Sequence, residues 1–170
     1  MNYFDDPHAW ETFRAEAESW LGTPYRHLQR CKGRGADCTL FIGQTLLDVG
    51  VLTRLEYGYY PRDWHEHTDE EYVLEASRLH IRDHLRDGLR IIALPPETPL
   101  LRGDWLAFST TERRVTNHCG LAWPEAEREG FRMLHAINGR GVSFAPLGGW
   151  WLRRMTRRFR IITDGEATWA

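Results

Sequence analysis

The sequence predicts an α+β fold in which helices come first along the chain and the strands of an antiparallel sheet follow. Apolar residues recur at helical spacing in the first half, whereas the second half alternates short apolar runs with Gly, Pro and polar turns. Such an order is typical of domains that pack N-terminal helices on one face of an antiparallel sheet. Because no linker interrupts the 170 residues, we expect a single domain over residues 1–170.

Three helices are predicted from their capping signals. Asp6 before a proline begins the first, Asp37 caps the second, and Thr68 with Glu71 forms a capping box for the third. The expected bounds are Pro7–Leu21, Cys38–Val49 and Thr68–Arg86. The aromatic segment Thr53–His67 shows neither the helical spacing nor the short apolar runs of strands, and we expect it to be irregular.

Six strands are predicted from short apolar runs bounded by turn residues. Their expected bounds are Leu89–Ala93, Trp105–Ser109, His118–Trp123, Phe131–Ile137, Val142–Ala145 and Phe159–Thr163.

Charge and hydropathy exclude some classes of protein. A net charge of −2 argues against nonspecific nucleic-acid binding, and no apolar run reaches the length of a membrane span. The first ten residues lack the apolar core of a signal peptide, so we expect synthesis in the cytoplasm without Sec-type export. A run of arginines near the C-terminus is either a solvated face or a contact for an anionic ligand: Arg153, Arg154, Arg157, Arg158 and Arg160.

Cys38 is the strongest candidate for a nucleophile, because it occupies the first turn of the predicted second helix. A helix N-terminus carries partial positive charge and free N–H groups, which favour a thiolate and can bind an oxyanion. The competing interpretation is a small buried apolar residue. With three cysteines, a disulfide framework is not expected, and we predict that neither Cys31 nor Cys119 is bonded to Cys38. A zinc site from His27, Cys31 and Cys38 lacks a fourth ligand and the usual spacing.

Two histidines fall on neighbouring predicted strands. If Trp123 pairs with Gly130 across a hairpin, His118 lies directly opposite His135, on the face toward the helix of Cys38. Neighbouring imidazoles can act as a base and the group that orients it. Cys119 then faces the core, since side chains alternate along a strand. Asn138 is the alternative third member if this pairing fails.

Five segments of this sequence, in order, resemble the motifs of the NlpC-type cysteine peptidases, which are papain-like peptidoglycan endopeptidases. The segments are Gly22-Thr23-Pro24-Tyr25-Arg26, Gly35-Ala36-Asp37-Cys38, Gly103-Asp104, His118-Cys119-Gly120-Leu121 and Leu134-His135-Ala136. The resemblance implies a papain-like fold with the catalytic cysteine at a helix N-terminus. It implies that Cys38 is the nucleophile, His118 the base and His135 the third polar member.

The resemblance also implies what surrounds these groups. Tyr25 matches a tyrosine whose hydroxyl helps to stabilise the oxyanion, and Asp37 and His27 are expected at the substrate-binding site. No cofactor or metal is implied. Thr39 and Leu40 stand where the family often has Ser-Gly, which changes the packing of the helix and leaves the thiol in place.

The implied substrate is the stem peptide of the bacterial cell wall, cut between D-glutamate and a diamino acid. Longer matches resemble the subset of tailed phages, prophages and gene-transfer agents: Tyr25-Arg26-His27, Lys32-Gly33-Arg34-Gly35, His135-Ala136-Ile137-Asn138-Gly139-Arg140 and Trp150-Trp151. They imply a tail-tip enzyme that acts on the wall, with targeting supplied by tail or other proteins. Segment Thr53–Leu100 is longer than in minimal members, so the shape of the groove is not determined by the resemblance.

Two other functions remain open. One is a thiol acyltransferase or amidase on a related fold, although its permuted relatives place the histidine before the cysteine, the reverse of the order here. The other is a catalytically silent tail-assembly protein, against which the intact set of Cys38, His118 and His135 argues.

Overall fold

The computed structural model describes residues 1–77, 81–125 and 129–163 of the chain. A 3-10 turn, Tyr3–Asp5, comes first. The helices are α1 (Pro7–Glu18), α2 (Cys38–Asp48), α3 (Trp64–His67), α4 (Tyr72–Ser77) and α5 (Gly149–Arg154). The strands are β1 (Arg30–Cys31), β2 (Gly35–Ala36), β3 (Leu89–Ala93), β4 (Trp105–Phe108), β5 (His118–Pro124), β6 (Phe131–Ile137), β7 (Gly141–Pro146) and β8 (Met155–Thr163).

All six predicted strands form one antiparallel sheet in the order β3-β8-β4-β5-β6-β7. The predicted α+β class, with helices before strands, is confirmed. The last strand begins at Met155, four residues before the predicted start at Phe159, because its early residues pair with the end of β4.

The main core lies between α1, α2 and one face of the sheet. Apolar side chains of the helices pack against alternate residues of the central strands: Trp10, Phe13, Phe41 and Ile42 against Leu121, Trp123 and Leu134. The Asp6 cap forms as predicted, since its carboxylate accepts the N–H of Ala9 at 2.7 Å. The predicted arrangement of N-terminal helices on one face is therefore confirmed.

A smaller core covers the opposite face of the sheet near its end. Trp151 of α5 and the adjacent Met155 pack against Leu106, Phe108 and Met133, which point away from α1 and α2. This helix is too short to show a helical pattern in the sequence. Its position brings an indole ring to the end of the sheet where β5 begins.

The predicted helix Thr68–Arg86 is wrong in its start and its end. Thr68 ends α3, and the carboxylate of Glu71 accepts the N–H of Thr116 at 2.9 Å instead of closing a capping box. The helix that forms is α4; residues 78–80 lie outside the described part of the chain, and Leu85 already makes a bridge with Leu52. Glu71 therefore bonds to Thr116, which is distant in the sequence, instead of forming the local capping box.

The Gly103-Asp104 segment has a structural role. Gly103 has a φ of +79°, and a Cβ there would lie 2.3 Å from the ring of Phe4, so only glycine fits. The buried Asp104 carboxylate binds the guanidinium of Arg160 through two hydrogen bonds of 2.7 and 2.8 Å. This pair ties the start of β4 to β8. Among the described residues, no helix is both long and apolar enough to cross a membrane.

Candidate active site

Asp37 holds the N-terminus of α2 in place. Its Oδ1 accepts the backbone N–H groups of Thr39 and Leu40, at 3.1 and 2.7 Å. Its Oδ2 accepts the N–H of Leu28 and the hydroxyl of Tyr60, at 3.0 and 3.1 Å. The side chain is fully buried and these four hydrogen bonds all come from the protein, so Asp37 acts as a helix cap. Its expected place at the substrate-binding site stays a prediction.

The Cys38 thiol is held in an environment that stabilises its thiolate. Hydrogen bonding from Cys119 lowers the pKa of Cys38 well below its usual range, burial opposes this, and His118 adds both a hydrogen bond and its charge. The hydroxyl of Thr39 lies 3.8 Å from Sγ of Cys38 and 3.6 Å from Sγ of Cys119. Cys119 faces the core as predicted, and that core position also contacts the nucleophile.

His118 and His135 are hydrogen-bonded neighbours. Nε2 of His118 lies 2.8 Å from Nδ1 of His135, with the rings edge-to-face at 77°. The predicted register is wrong, however, because Trp123 pairs with Arg132 and not with Gly130. The two imidazoles still meet, because a shift of two residues leaves every side chain on its face of the sheet and makes the contact diagonal.

The pair does not face α2 as expected. Both imidazole rings contact Trp151 of α5, at centroid distances of 5.2 and 5.4 Å, on the face opposite to the main core. His118 reaches Cys38 because each is the first residue of its element, and the start of β5 lies next to the start of α2. The end of the sheet, not its face, forms the site.

His135 is suited to accept a hydrogen bond from His118. Burial, followed by the charges of His118 and Arg140, lowers the pKa of His135 to about 3. At neutral pH its imidazole is therefore uncharged. With its Nδ1 as acceptor, Nε2 of His118 carries the proton, which leaves Nδ1 of His118 for the thiol.

A groove of about 320 Å³ opens beside Cys38 and His118. Its other lining residues are mainly aromatic or polar: Tyr25, Tyr60, Arg62, Trp64, His65, Val73, Thr110, Asn117, Ala136, Ile137, Asn138, Trp150 and Trp151. Burial raises the pKa of Tyr25, and the charge of Cys38 raises it further, so the phenol keeps its proton near the thiol. Tyr25 thus lies in the wall of the groove that contains Cys38.

His27 is not among the residues that line the groove, and its expected part in substrate binding stays a prediction. Its Nε2 lies 2.8 Å from the backbone oxygen of Tyr60, and its ring stacks edge-on against the Tyr60 ring. Tyr60 in turn donates a hydrogen bond to Asp37, so His27 contacts the helix cap indirectly, through Tyr60. Sequence reasoning missed Tyr60; the aromatic segment around it was the only signal, and no local pattern singled it out.

The surroundings of Asp37 make the charged form of its carboxyl group less favourable. Burial, with the Cys38 charge second, raises the pKa of Asp37 to about 7, while the donors from Leu40 and Tyr60 oppose the rise. These donors therefore stabilise the carboxylate form of Asp37, which is the form that caps the helix, close to neutral pH.

The three cysteines are free, as predicted. Cys31 is exposed on β1, away from the groove lining. Within the described residues, no three His, Cys, Asp or Glu side chains are grouped to hold a metal ion. The zinc hypothesis for His27, Cys31 and Cys38 therefore has no support from the geometry.

Two solved structures have a similar architecture. A Staphylococcus aureus protein described as similar to a lipoprotein of the NLP/P60 family matches with a TM-score of 0.52 and 19% identity. The match covers 90% of this chain and 41% of that one, so this chain spans about two fifths of its length. The NlpC/p60 domain of the peptidoglycan hydrolase SagA gives a TM-score of 0.49 and 19% identity, over 87% of this chain and 95% of that domain.

The first of these likenesses shows that the chain has the fold of an NLP/P60 protein. No protein-family model matches the sequence. No curated protein matches it either.

Proposed function

We propose that this chain is a cysteine peptidase that hydrolyses amide bonds in the stem peptides of bacterial peptidoglycan. The observation that carries the proposal is the placement of Cys38 and His118 in the wall of one groove, with Nε2 of His118 2.8 Å from Nδ1 of His135. A thiolate at a helix N-terminus with an oriented imidazole is the arrangement required for acyl transfer. The NLP/P60-like fold and the ordered motifs favour cell-wall peptide as the substrate.

The first step is attack of the Cys38 thiolate on the amide carbonyl carbon. The negative charge moves to the carbonyl oxygen and needs donors. Because Asp37 occupies the N–H groups of Thr39 and Leu40, the N–H of Cys38 itself is the helix donor that the cap does not use. The protonated hydroxyl of Tyr25 supplies a second donor from the groove wall.

His118 carries the proton through both halves of the reaction. It gives its proton to the leaving amine as the C–N bond breaks, which produces a thioester on Cys38. It then takes a proton from water, whose oxygen attacks the thioester, and the thiolate is released. His135 keeps His118 in the useful tautomer and orientation through the 2.8 Å hydrogen bond.

The bond that we propose is the amide between D-glutamate and a diamino acid. The motif resemblance supports this choice, and the groove adds a chemical reason. Arg62 lies in the groove with the catalytic residues, where its guanidinium complements a carboxylate on either side of the scissile amide.

The setting that we propose is the wall-facing tip of a phage-like tail, with tail proteins as partners. The segments around Tyr25-Arg26-His27 and Trp150-Trp151 support it. Tail particles purified from a producing strain should contain the chain, detected by mass spectrometry. Particles that lack it would contradict this setting and leave the peptidase proposal intact.

Digestion of purified peptidoglycan, with mass analysis of the soluble products, tests the activity. Wild-type protein should release peptides that end in D-glutamate or begin with the diamino acid, without new reducing sugar ends. Cys38→Ala should release none, because it lacks the nucleophile. Cys31→Ala is the matched control, since this exposed cysteine lies outside the groove and should retain full activity.

Three results would contradict the proposal. Fresh reducing ends that depend on Cys38 would indicate cleavage of the glycan. Aminolysis products in place of free acids would indicate an acyltransferase. Equal activity of Cys38→Ala and wild type would remove the nucleophile from the mechanism.

A further inference from the structure

A second cavity adjoins the groove at the same end of the sheet. It measures about 610 Å³ and lies where β4 ends and β8 begins, beside Ser109 and Met155. Trp150 borders both cavities, and Thr116 in its wall is two residues before His118. The two cavities therefore adjoin at Trp150, within reach of a peptide that is held across His118.

The second cavity is cationic. Its wall contains four guanidinium groups and two carboxylates: Arg114, Arg153, Arg154 and Arg157 with Glu71 and Glu112. Four positive and two negative groups leave a formal charge of +2. Glu112 neutralises little of it, because its side chain is 98% exposed and 3.8 Å from Arg154. Glu71 is already engaged, since it accepts the N–H of Thr116.

The C-terminal run of arginines divides into two roles. Arg158 is buried and donates to the backbone oxygen of Thr98, and Arg160 binds the buried Asp104. These two stabilise the fold. Arg153 and Arg157 are exposed and line the second cavity, where Nη1 of Arg157 also donates to the backbone oxygen of Thr156 at 2.8 Å. Because that partner is an uncharged backbone oxygen, the positive charge of Arg157 is not neutralised by it.

We infer that the second cavity binds a carboxylate of the substrate peptide beyond the scissile bond, so that the protein selects stem peptides with free carboxylates over those carrying carboxamides. The inference rests on the proposed function and names what its substrate must carry. Guanidinium groups bind carboxylates through paired, charge-assisted hydrogen bonds, which an uncharged carboxamide cannot match. D-glutamate, and any diamino acid that has two carboxyl groups, each keep one carboxyl group that the peptide chain does not consume.

The test compares two synthetic stem peptides that contain the D-glutamyl–diamino acid bond. One has free carboxylates beyond the scissile amide, and the other has carboxamides at the same positions. Wild-type protein should cleave the free form with a kcat/KM about tenfold higher at low salt. The preference should fall toward twofold in 0.5 M NaCl, because exposed charges are screened.

The double variant Arg153→Gln/Arg157→Gln assigns the preference to the cavity. It should lose most of the preference for the free form, and a urea midpoint equal to that of wild type shows that the variant is folded. The matched control is Arg14→Gln/Arg82→Gln, which changes the net charge equally at exposed positions outside both cavities. It should keep the wild-type preference.

Equal cleavage of the two peptides by wild type would overturn the inference while supporting the proposed function. A preference that survives in the Arg153/Arg157 double variant would also overturn it, by assigning the carboxylate to another group such as Arg62. If neither peptide is cleaved, the proposed function fails, and calorimetry with Cys38→Ala decides the inference separately. Arginine-dependent binding of the free form would support it; binding of poly(glycerol phosphate) in place of either peptide would overturn it.

Discussion

Replacing His135 with asparagine separates its two properties, hydrogen-bond acceptance and titration. The side-chain oxygen of Asn can accept a hydrogen bond from Nε2–H of His118, as Nδ1 of His135 does at 2.8 Å. Asn has no charged form in the accessible pH range. His135→Asn should therefore retain part of the activity while losing one pH-dependent contribution to stability.

The size of that contribution follows from the burial of the imidazole. His135 is 2% exposed, and its pKa falls from 6.5 to about 3 on folding. The unfolded chain thus binds a proton at pH values where the folded chain does not, so stability is lost as the pH falls below 6.5 toward 3. At about 1.4 kcal/mol per pH unit, the wild type should lose about 3 kcal/mol from this residue by pH 4.

Urea unfolding at intervals between pH 7 and pH 4 measures this effect. The difference in free energy of unfolding between wild type and His135→Asn should shift by about 3 kcal/mol in favour of the variant as the pH falls. His8→Asn is the control, because His8 is exposed on the surface and its curve should stay parallel to that of wild type. A His135→Asn curve that also stays parallel would refute the neutral, buried state assigned to His135.

Three other substitutions test the groups around the thiol. Tyr25→Phe should reduce kcat tenfold or more with little change in KM, because its hydroxyl stabilises an oxyanion that forms only during the reaction. Steady-state kinetics measure both constants, and an unchanged kcat would exclude that role. Cys119→Ala, in a Cys31→Ala background, should raise the pKa of Cys38, which a pH series of alkylation rates would show as a higher midpoint. An unmoved midpoint would mean that the second thiol does not stabilise the thiolate. Tyr60→Phe should lower the free energy of unfolding, measured by urea denaturation, by about 1–2 kcal/mol, because a buried carboxylate oxygen of Asp37 loses its donor. An unchanged free energy of unfolding would show that Tyr60 does not stabilise the cap.

The start of α2 and the strand positions could be predicted from the sequence because their signals are local. Asp37 caps the N–H groups two and three residues ahead, so the cap and Cys38 are specified within one turn of helix. Strands β3 and β6 have the predicted bounds, Leu89–Ala93 and Phe131–Ile137, because apolar runs between turn residues mark them.

The register between β5 and β6 could not be predicted in the same way. Polar residues show that a turn lies between the strands, but not which residues pair. In the structure the N–H of Glu125 donates to the oxygen of Gly130, which moves every partner by two residues from the predicted pairing. The predicted contact of His118 with His135 is still present, because side chains alternate with a period of two and a shift of two residues keeps both on the same face.

What the sequence determined by itself was thus the order of elements, the helix that presents Cys38 and the placement of the two histidines on one shared face of the sheet. Only the tertiary structure decided that Cys119 contacts the nucleophile, that Tyr60 binds a carboxylate 23 residues away, and which arginines are buried in the fold. Arg158 and Arg160 look like their neighbours in the sequence, yet their partners lie 60 and 56 residues away in the chain. Partner choice over such distances depends on how whole elements pack, and no local pattern of residues encodes it.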